Sequence, residues 1–210
     1  MSCLAALAHG IPFYGDTRAD MVRFLACHGH HKTISHSMCV AEEAGRLAIR
    51  WNESAAHAQV AGWLHDISAV IPNGERISVA EHLGLDILPE ERTAPMIMHQ
   101  KLSAEIASEL FGVSNKEILS AIACHTTLKA DASKLDKIVF VADKICWDQS
   151  GDPPYLGQIL EAAEHSLDKA ACIYLEYLWR RRNELPVLHP RVEDAHKQLR
   201  CSGLFSYEGP

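Results

Sequence analysis

Two short apolar stretches of this 210-residue chain end on side chains of types that bind metal ions. The run AGWLHDIS places His65 beside Asp66, and the run AIACH ends on His125. Burying an imidazole or a carboxylate costs several kcal/mol unless the group finds a partner. Four histidines and two aspartates interrupt apolar faces in this way: His36, His65, Asp66, His99, His125 and Asp143. A metal ion would compensate the whole set, because it pairs with carboxylates and binds neutral imidazoles.

Three predicted helices carry the first four of these side chains. Apolar residues recur at steps of three and four over residues 33–51, and this stripe includes His36. Ser54 is a predicted N-cap for the next helix, which ends at the His-Asp pair. A further helix is predicted to run from Pro89 toward His99.

The second half of the chain continues the helical pattern. Ser114-x-x-Glu117 is a capping-box pattern for a helix that ends in AIACH. Ser133 is the predicted N-cap of a strongly periodic run that contains Asp143. After the helix-breaking sequence GDPP, we predict one long helix over residues 156–182.

Strand signals are nearly absent, so we predict an all-α fold, a single-domain helical bundle with a metal site in its core. Hydrophobic residues make up 48% of the chain and charged residues 22%, which suits a sizeable core. We predict an N-terminal extension over residues 1–19, the helical domain over residues 20–202 and a C-terminal tail over residues 203–210.

Charge and cysteine usage limit the class of protein. The net charge of -7 argues against nucleic acid as an electrostatic partner. The seven cysteines are odd in number and form no Cys-x-x-Cys pair, so we expect free thiols in a reducing compartment. The first residues, MSCLAALAHG, lack the basic start of a signal peptide, and no segment is long enough to span a membrane. We therefore expect a cytoplasmic protein with no membrane partner.

The order His36, His65-Asp66, Asp143 resembles the H…HD…D signature of the HD-domain superfamily of metal-dependent phosphohydrolases. Over roughly residues 20–200 the chain is similar to the YqeK-type HD proteins, in the segments HSMCVAEEAGRLA, AGWLHDIS, MHQKLSAEIASELFG, AIACHTT, LDKIVFVADKI and LPVLHPRVEDA. Those proteins are symmetrical bis(5'-nucleosyl)-tetraphosphatases, which cut diadenosine tetraphosphate into two ADP and use iron. The resemblance implies a bundle of the HD-domain type and a small-molecule nucleotide substrate.

The resemblance also implies a role for each of the six side chains. One metal would be held by His36, His65, Asp66 and Asp143. Asp66 would bridge to a second ion held by His99 and His125, and together with a metal-bound water it would be the catalytic residue. Ligands made only of nitrogen and oxygen suit iron, our first expectation, and also manganese, cobalt, nickel or zinc.

Three side chains near these ligands are candidate contacts to substrate phosphates: Lys101, Thr126 and Lys144. The chain departs from the pattern of the YqeK-type proteins at several neighbouring positions. Thr33 stands in place of an arginine, Ala69 in place of a lysine and Leu128 in place of a glycine. Residues 146–155 lack the acidic residue and the arginine of that pattern. Because cationic groups bind phosphate strongly, we expect these changes to alter which nucleotide is preferred.

Two other hypotheses remain open at this stage, and so does a homodimer. A non-catalytic or regulatory HD module that binds a nucleotide would share the ligand set and would tolerate the loss of cationic residues. A metal-free helical scaffold with a histidine-rich core would leave six buried polar groups to find other partners. Turnover of a nucleotide by the metal-loaded protein discriminates between the enzyme and the binding module.

Overall fold

The computed structural model describes residues 3–147 and 151–201, and within these ranges it contains helices and no strand. The predicted all-α class is confirmed. The helices are α1 (Cys3–Leu7), α2 (Thr17–Cys27), α3 (His31–Arg50), α4 (Ala55–Leu64), α5 (Arg76–His82), α6 (Pro89–Thr93), α7 (His99–Glu109), α8 (Lys116–Cys124), α9 (Lys134–Ile145), α10 (Leu156–Ala163), α11 (Leu167–Arg180) and α12 (Pro190–Cys201). Three short 3₁₀ turns lie at Ile67–Val70, Asn73–Glu75 and Pro95–Met98.

Helix α9 lies at the centre of the bundle. Its sequence, LDKIVFVADKI, is apolar on most of its circumference, and Ile138, Val139, Phe140 and Ala142 are fully buried. A helix with such a sequence is stable only when neighbours cover it on several sides. Helices α3, α4, α8, α10 and α11 supply that cover. Asp143, near the end of α9, is thereby held among these helices, with 13% of its side chain exposed.

Helices α3 and α4 approach each other closely at Gly62. A Cβ atom on Gly62 would lie only 2.5 Å from the Cα atom of Ala41 and 2.7 Å from its amide nitrogen. Favourable contacts between carbon atoms lie at about 3.5–4.0 Å, so a side chain at this position would hold the helices apart. The close approach brings His36 on α3 within reach of His65 at the end of α4.

Two of the predicted N-caps are confirmed and one is wrong. The hydroxyl of Ser54 accepts a hydrogen bond from the amide of His57, and Ser133 caps α9 in the same way. Helix α8 is capped by Asn115 and not by Ser114, since the Asn115 side chain accepts from the first amides of that helix. Asparagine is at least as good an N-cap as serine, and the local sequence offered both.

Two predicted helices are interrupted. The helix expected to run from Pro89 toward His99 ends at Thr93, because Pro95 disfavours helical backbone at Ala94, and His99 instead begins α7. The helix expected over residues 156–182 is two helices, α10 and α11. The break comes at Ser166, whose extended backbone and side chain cap α11.

Helices α1 and α2 lie before and across the predicted start of the domain. Helix α1 packs against α7, and α2 runs across residues 19 and 20, where we placed the start of the domain. The predicted tail over residues 203–210 lies outside the described residues. The division of the chain stays a prediction. Among the described helices, none has the length and apolar character that crossing a membrane requires.

Cys39 and Cys146 form a disulfide, with their Cα atoms 6.0 Å apart. The expectation of free thiols is therefore wrong for this pair. The bridge joins α3 to the end of α9, and its two cysteines are 107 residues apart in the chain. Cys3, Cys27, Cys124 and Cys172 are free, and the last two are buried.

Candidate metal centre

The His-Asp pair lies where α4 stops. His65 follows the last residue of α4 and is completely buried, whereas the carboxylate of Asp66 is 28% exposed. The chain then turns through Ile67–Val70. The pair therefore consists of one side chain in the core, His65, and a neighbouring one at the surface, Asp66.

A buried pair of serines ties this turn to the start of α7. The Ser68 hydroxyl donates to the carbonyl of His99 over 2.8 Å, and the Ser103 hydroxyl donates to Ser68 over 3.0 Å. Both serines are fully buried. Because buried hydrogen bonds are costly to break, Asp66 and His99 are held in fixed relative positions.

Three of the imidazole rings are oriented by the same kind of hydrogen bond to the backbone. In each ring Nδ1 contacts a backbone carbonyl three residues earlier: His65 to Gly62 at 2.7 Å, His99 to Met96 at 2.6 Å and His125 to Ile122 at 2.8 Å. A carbonyl oxygen can only accept, so Nδ1 carries the hydrogen in each ring. In the neutral form of each ring Nε2 therefore has a lone pair directed at the centre, as a metal-ligating histidine requires.

The first group of donor atoms joins α3, α4 and α9. The Nε2 atom of His36 lies 3.1 Å from that of His65 and 3.1 Å from Oδ1 of Asp143. Oδ2 of Asp66 lies 3.9 Å from the His36 Nε2 atom and 3.5 Å from that of His65. The donor atoms of His36, His65 and Asp66 all lie within 4.8 Å of one another and could hold one cation, and Asp143 lies beside the two histidines of this group.

The second group joins the same aspartate to α7 and α8. The Nε2 atoms of His99 and His125 lie 2.9 Å apart. Oδ1 of Asp66 is 3.4 Å from the first and 3.5 Å from the second. Each oxygen of Asp66 therefore faces a different pair of imidazoles, which is the arrangement of a bridging carboxylate. The structure brings all six predicted ligands together, and their role as ligands stays a prediction.

The charges in this cluster reinforce one another. Burial by itself would raise the pKa of Asp66, but the neighbouring imidazoles hold it well below its usual range. Burial would lower the pKa of His65, but the carboxylates of Asp66 and Asp143 raise it to about 9. For His99 burial prevails and lowers the pKa to about 4. An ionised Asp66 and a neutral His99 are the protonation states that metal binding needs, whereas His65 would have to release its proton to a bound metal. Such perturbed groups cluster at functional sites.

Lys144 neutralises the remaining oxygen of Asp143. Its Nζ atom lies 2.5 Å from Oδ2 of Asp143 and 4.9 Å from the centre of the Tyr174 ring. Burial would lower the pKa of Lys144, but Asp143 raises it, so the ammonium group stays charged. Lys144 therefore orients Asp143, and its predicted contact with substrate stays a prediction.

The other two candidate substrate contacts lie in different surroundings. The Thr126 hydroxyl is 2.9 Å from Nε2 of His99, inside the cluster. Lys101 instead donates to the carboxylate of Glu91 and to the carbonyl of Asp86, each over 2.8 Å. This ion pair joins α6 to α7. The structure brings Thr126 to the centre and engages Lys101 elsewhere, so a phosphate contact by Lys101 stays a prediction.

Gln100 was not predicted from the sequence, although its position directly after His99 was a usable signal. Its Oε1 atom accepts from the amides of Thr126 over 3.2 Å and Thr127 over 3.3 Å, so it fixes the turn after His125. In that turn Leu128 is fully buried and has a φ of 56°. A non-glycine residue in this region is strained, by roughly 1–2 kcal/mol, and the strain lies three residues from a predicted ligand.

Arg76 was also missed, and the sequence contains no signal that brings it to the centre. Its Nη1 atom donates to the carbonyl of Met96 over 3.0 Å, and its Nε atom donates to the carbonyl of Ile71 over 3.3 Å. The Met96 carbonyl is the one that also accepts from Nδ1 of His99. The guanidinium group therefore lies directly behind a predicted ligand.

Comparison with protein families and curated proteins gives a consistent result. A family model described as "HD domain" matches residues 33–148. A protein of the pepC 5' region of Lactococcus lactis subsp. cremoris is 44% identical over 146 residues, covering 70% of this chain and 74% of that protein. The symmetrical bis(5'-nucleosyl)-tetraphosphatase of Staphylococcus aureus is 28% identical over 180 residues, covering 84% of this chain and 88% of that enzyme.

Comparison with solved structures finds a close match in fold. The crystal structure of a predicted HD superfamily hydrolase involved in NAD metabolism from Clostridium acetobutylicum superposes with a TM-score of 0.81. The two sequences are 25% identical, and the match covers 90% of this chain and 98% of the other.

Proposed function

Since the chain belongs to the HD-domain family and is a metal-dependent phosphohydrolase, we propose that it cleaves dinucleoside polyphosphates, with the symmetrical hydrolysis of diadenosine tetraphosphate to two ADP as first choice. The observation that carries the proposal is the position of Asp66, whose two oxygens face two separate pairs of imidazoles. The similarity to the tetraphosphatase of Staphylococcus aureus over most of both chains supports this choice of substrate.

The donor atoms fit two transition-metal ions. We propose that one ion is held by His36, His65, Asp66 and Asp143, and the other by Asp66, His99 and His125. Iron is the first choice, and manganese, cobalt, nickel or zinc would accept the same nitrogen and oxygen donors. When bound, such ions lower the pKa of water and stabilise negative charge on phosphoryl oxygens.

The side chains of the protein have separate tasks in this proposal. Asp66 is the catalytic residue, and its partial exposure would leave the ions that it helps to hold open to a phosphate from solvent, while the imidazole of His65 stays buried. Lys144 is a positioning residue that keeps Asp143 directed at His36. The Thr126 hydroxyl, which lies 2.9 Å from the Nε2 atom of His99, would donate to a phosphate oxygen once that nitrogen is occupied.

Replacing Asp66 with alanine tests the proposal, with Cys124→Ser as the control because that thiol is buried and belongs to neither donor group. Protein purified without a histidine tag would be analysed for metal and assayed against dinucleoside polyphosphates, nucleoside triphosphates and monophosphates. We expect Asp66→Ala to lose metal and turnover, and Cys124→Ser to keep both. Equal metal content in Asp66→Ala and the wild type would contradict a bridging role for Asp66.

A second candidate function is a regulatory module that binds a nucleotide without cleaving it. It is favoured by one observation, namely that Lys101 and Lys144 are both engaged by carboxylates of the protein. If the protein holds both metals and turns over none of the nucleotides, this second function replaces the first.

We also propose that the protein works in the cytoplasm, where nucleotides are available. There the disulfide between Cys39 and Cys146 would exchange with the thiol pool, as disulfides in reducing compartments do. Cell fractionation followed by immunoblotting checks the location, and recovery of the protein outside the cytoplasmic fraction would contradict it.

A further inference from the structure

Arg76 carries a charge that no carboxylate neutralises at ion-pair distance within the part of the chain that the structure describes. Its hydrogen bonds go to two backbone carbonyls, those of Ile71 and Met96. The two lysines predicted to contact phosphate differ in this respect, because Lys101 pairs with Glu91 and Lys144 pairs with Asp143. A half-buried guanidinium without a counter-ion is costly, and an anionic ligand would offset that cost.

The position of this guanidinium relative to the centre is fixed by a shared acceptor. The carbonyl oxygen of Met96 accepts from Nη1 of Arg76 over 3.0 Å and from Nδ1 of His99 over 2.6 Å. Burial lowers the pKa of Arg76, and the carboxylate that opposes this effect is Asp66. With cations bound to Asp66, that carboxylate would no longer balance the charge of Arg76.

We propose that Arg76 binds a phosphate group of the nucleotide and so helps to select phosphorylated substrates. This inference rests on the proposed function, because it assumes that a nucleotide approaches Asp66. Nε and one hydrogen of Nη1 are committed to carbonyls, so the second hydrogen of Nη1 and the two hydrogens of Nη2 are the ones that would donate to phosphate oxygens. A guanidinium held in this way loses little side-chain entropy on binding, which favours a strong contact.

The test compares Arg76→Gln and Arg76→Lys with a matched control, Arg92→Gln. Arg92 is exposed and already paired with Glu81, so its loss removes the same charge without touching the centre. Binding of ADP and of adenosine would be measured by isothermal titration calorimetry on metal-loaded and metal-free protein. Hydrogen bonds to charged groups contribute enough that we expect Arg76→Gln to weaken ADP binding about 10- to 100-fold. Adenosine binding, metal content and ADP binding by Arg92→Gln should not change.

Several outcomes would overturn the inference. They are unchanged ADP affinity in Arg76→Gln, an equal loss of ADP and adenosine affinity, a loss of metal, or no ADP binding by the wild type. If Arg76→Gln does not fold, Arg76→Lys decides, with a loss of ADP affinity of about 3- to 10-fold expected because lysine cannot reproduce the planar contact. A wild type that binds ADP through Arg76 without turnover would refute the enzymatic proposal alone. Turnover with a KM that Arg76→Gln leaves unchanged would refute this inference alone.

Discussion

Replacing Gly62 with alanine would test whether the contact between α3 and α4 positions the metal centre. The new Cβ atom would lie 2.5 Å from the Cα atom of Ala41 and 2.7 Å from its amide nitrogen. Both are backbone atoms, so neither can rotate away. Carbon atoms in contact lie about 3.5–4.0 Å apart, and the two helices would therefore have to separate by roughly 1 Å.

The separation should cost stability and disturb the donor atoms together. Inserting a methyl group into a packed interior typically costs about 1–3 kcal/mol, and the better helix propensity of alanine returns up to about 1 kcal/mol. We expect the free energy of unfolding to fall by roughly 1–2 kcal/mol. His65 donates to the carbonyl of Gly62, and its Nε2 atom is 3.1 Å from that of His36 on α3. The same movement should therefore weaken metal binding.

The matched control is Gly45→Ala, in the same pair of helices. The nearest atoms to a Cβ there all belong to the side chain of Gln59, at 3.1 Å and beyond, and that flexible side chain can move. We expect this variant to be as stable as the wild type or up to about 1 kcal/mol more stable. Urea unfolding of metal-free protein gives the stabilities, and elemental analysis gives the metal content. If Gly62→Ala matched the wild type in both, the close contact would not be what sets the spacing of the centre.

Two further predictions concern groups outside the centre. Burial would raise the pKa of Glu91, but hydrogen bonds from His189 and Lys101 lower it from 4.5 to about 2. The ionised carboxylate therefore stabilises the fold above about pH 4.5, and this contribution is lost as the pH falls toward 2. Glu91→Gln should thus lower the free energy of unfolding by up to about 3 kcal/mol at neutral pH, with the deficit vanishing in acid unfolding experiments; a deficit independent of pH would contradict the assignment. Reducing the disulfide between Cys39 and Cys146 should lower the free energy of unfolding by on the order of 4 kcal/mol. Cys39→Ser should have the stability of the reduced protein, and added reductant should not change it. A wild type whose stability is the same with and without reductant would show that the bridge adds no stability.

The features that could be predicted from the sequence are those that depend on residues close together in the chain. The apolar stripe that includes His36 and the helix that ends at His65 follow from periodicity, which depends only on neighbouring residues. The helix end at His125 has the same origin. The convergence of these groups was also open to prediction, because buried polar groups on different helices of one bundle must find partners.

The features that could not be predicted depend on which helices meet. Cys39 and Cys146 are 107 residues apart, and no spacing rule joins them. The proximity of Arg76 to the centre arises from a turn at Met96 that the predicted helix from Pro89 did not contain. Helix propensities describe each segment alone. Pro95 disfavours helical backbone at Ala94, so the chain changes direction before His99 in a way that propensities do not give.

The disulfide between Cys39 and Cys146 closes a covalent ring in the polypeptide. The ring encloses five of the six donor residues, and His36 lies three positions outside it. A protease that cuts once between the two cysteines would therefore leave both pieces attached, with the helix of His36 still fastened to the end of α9. Such a nicked protein should migrate as one species on a non-reducing gel and as two fragments after reduction.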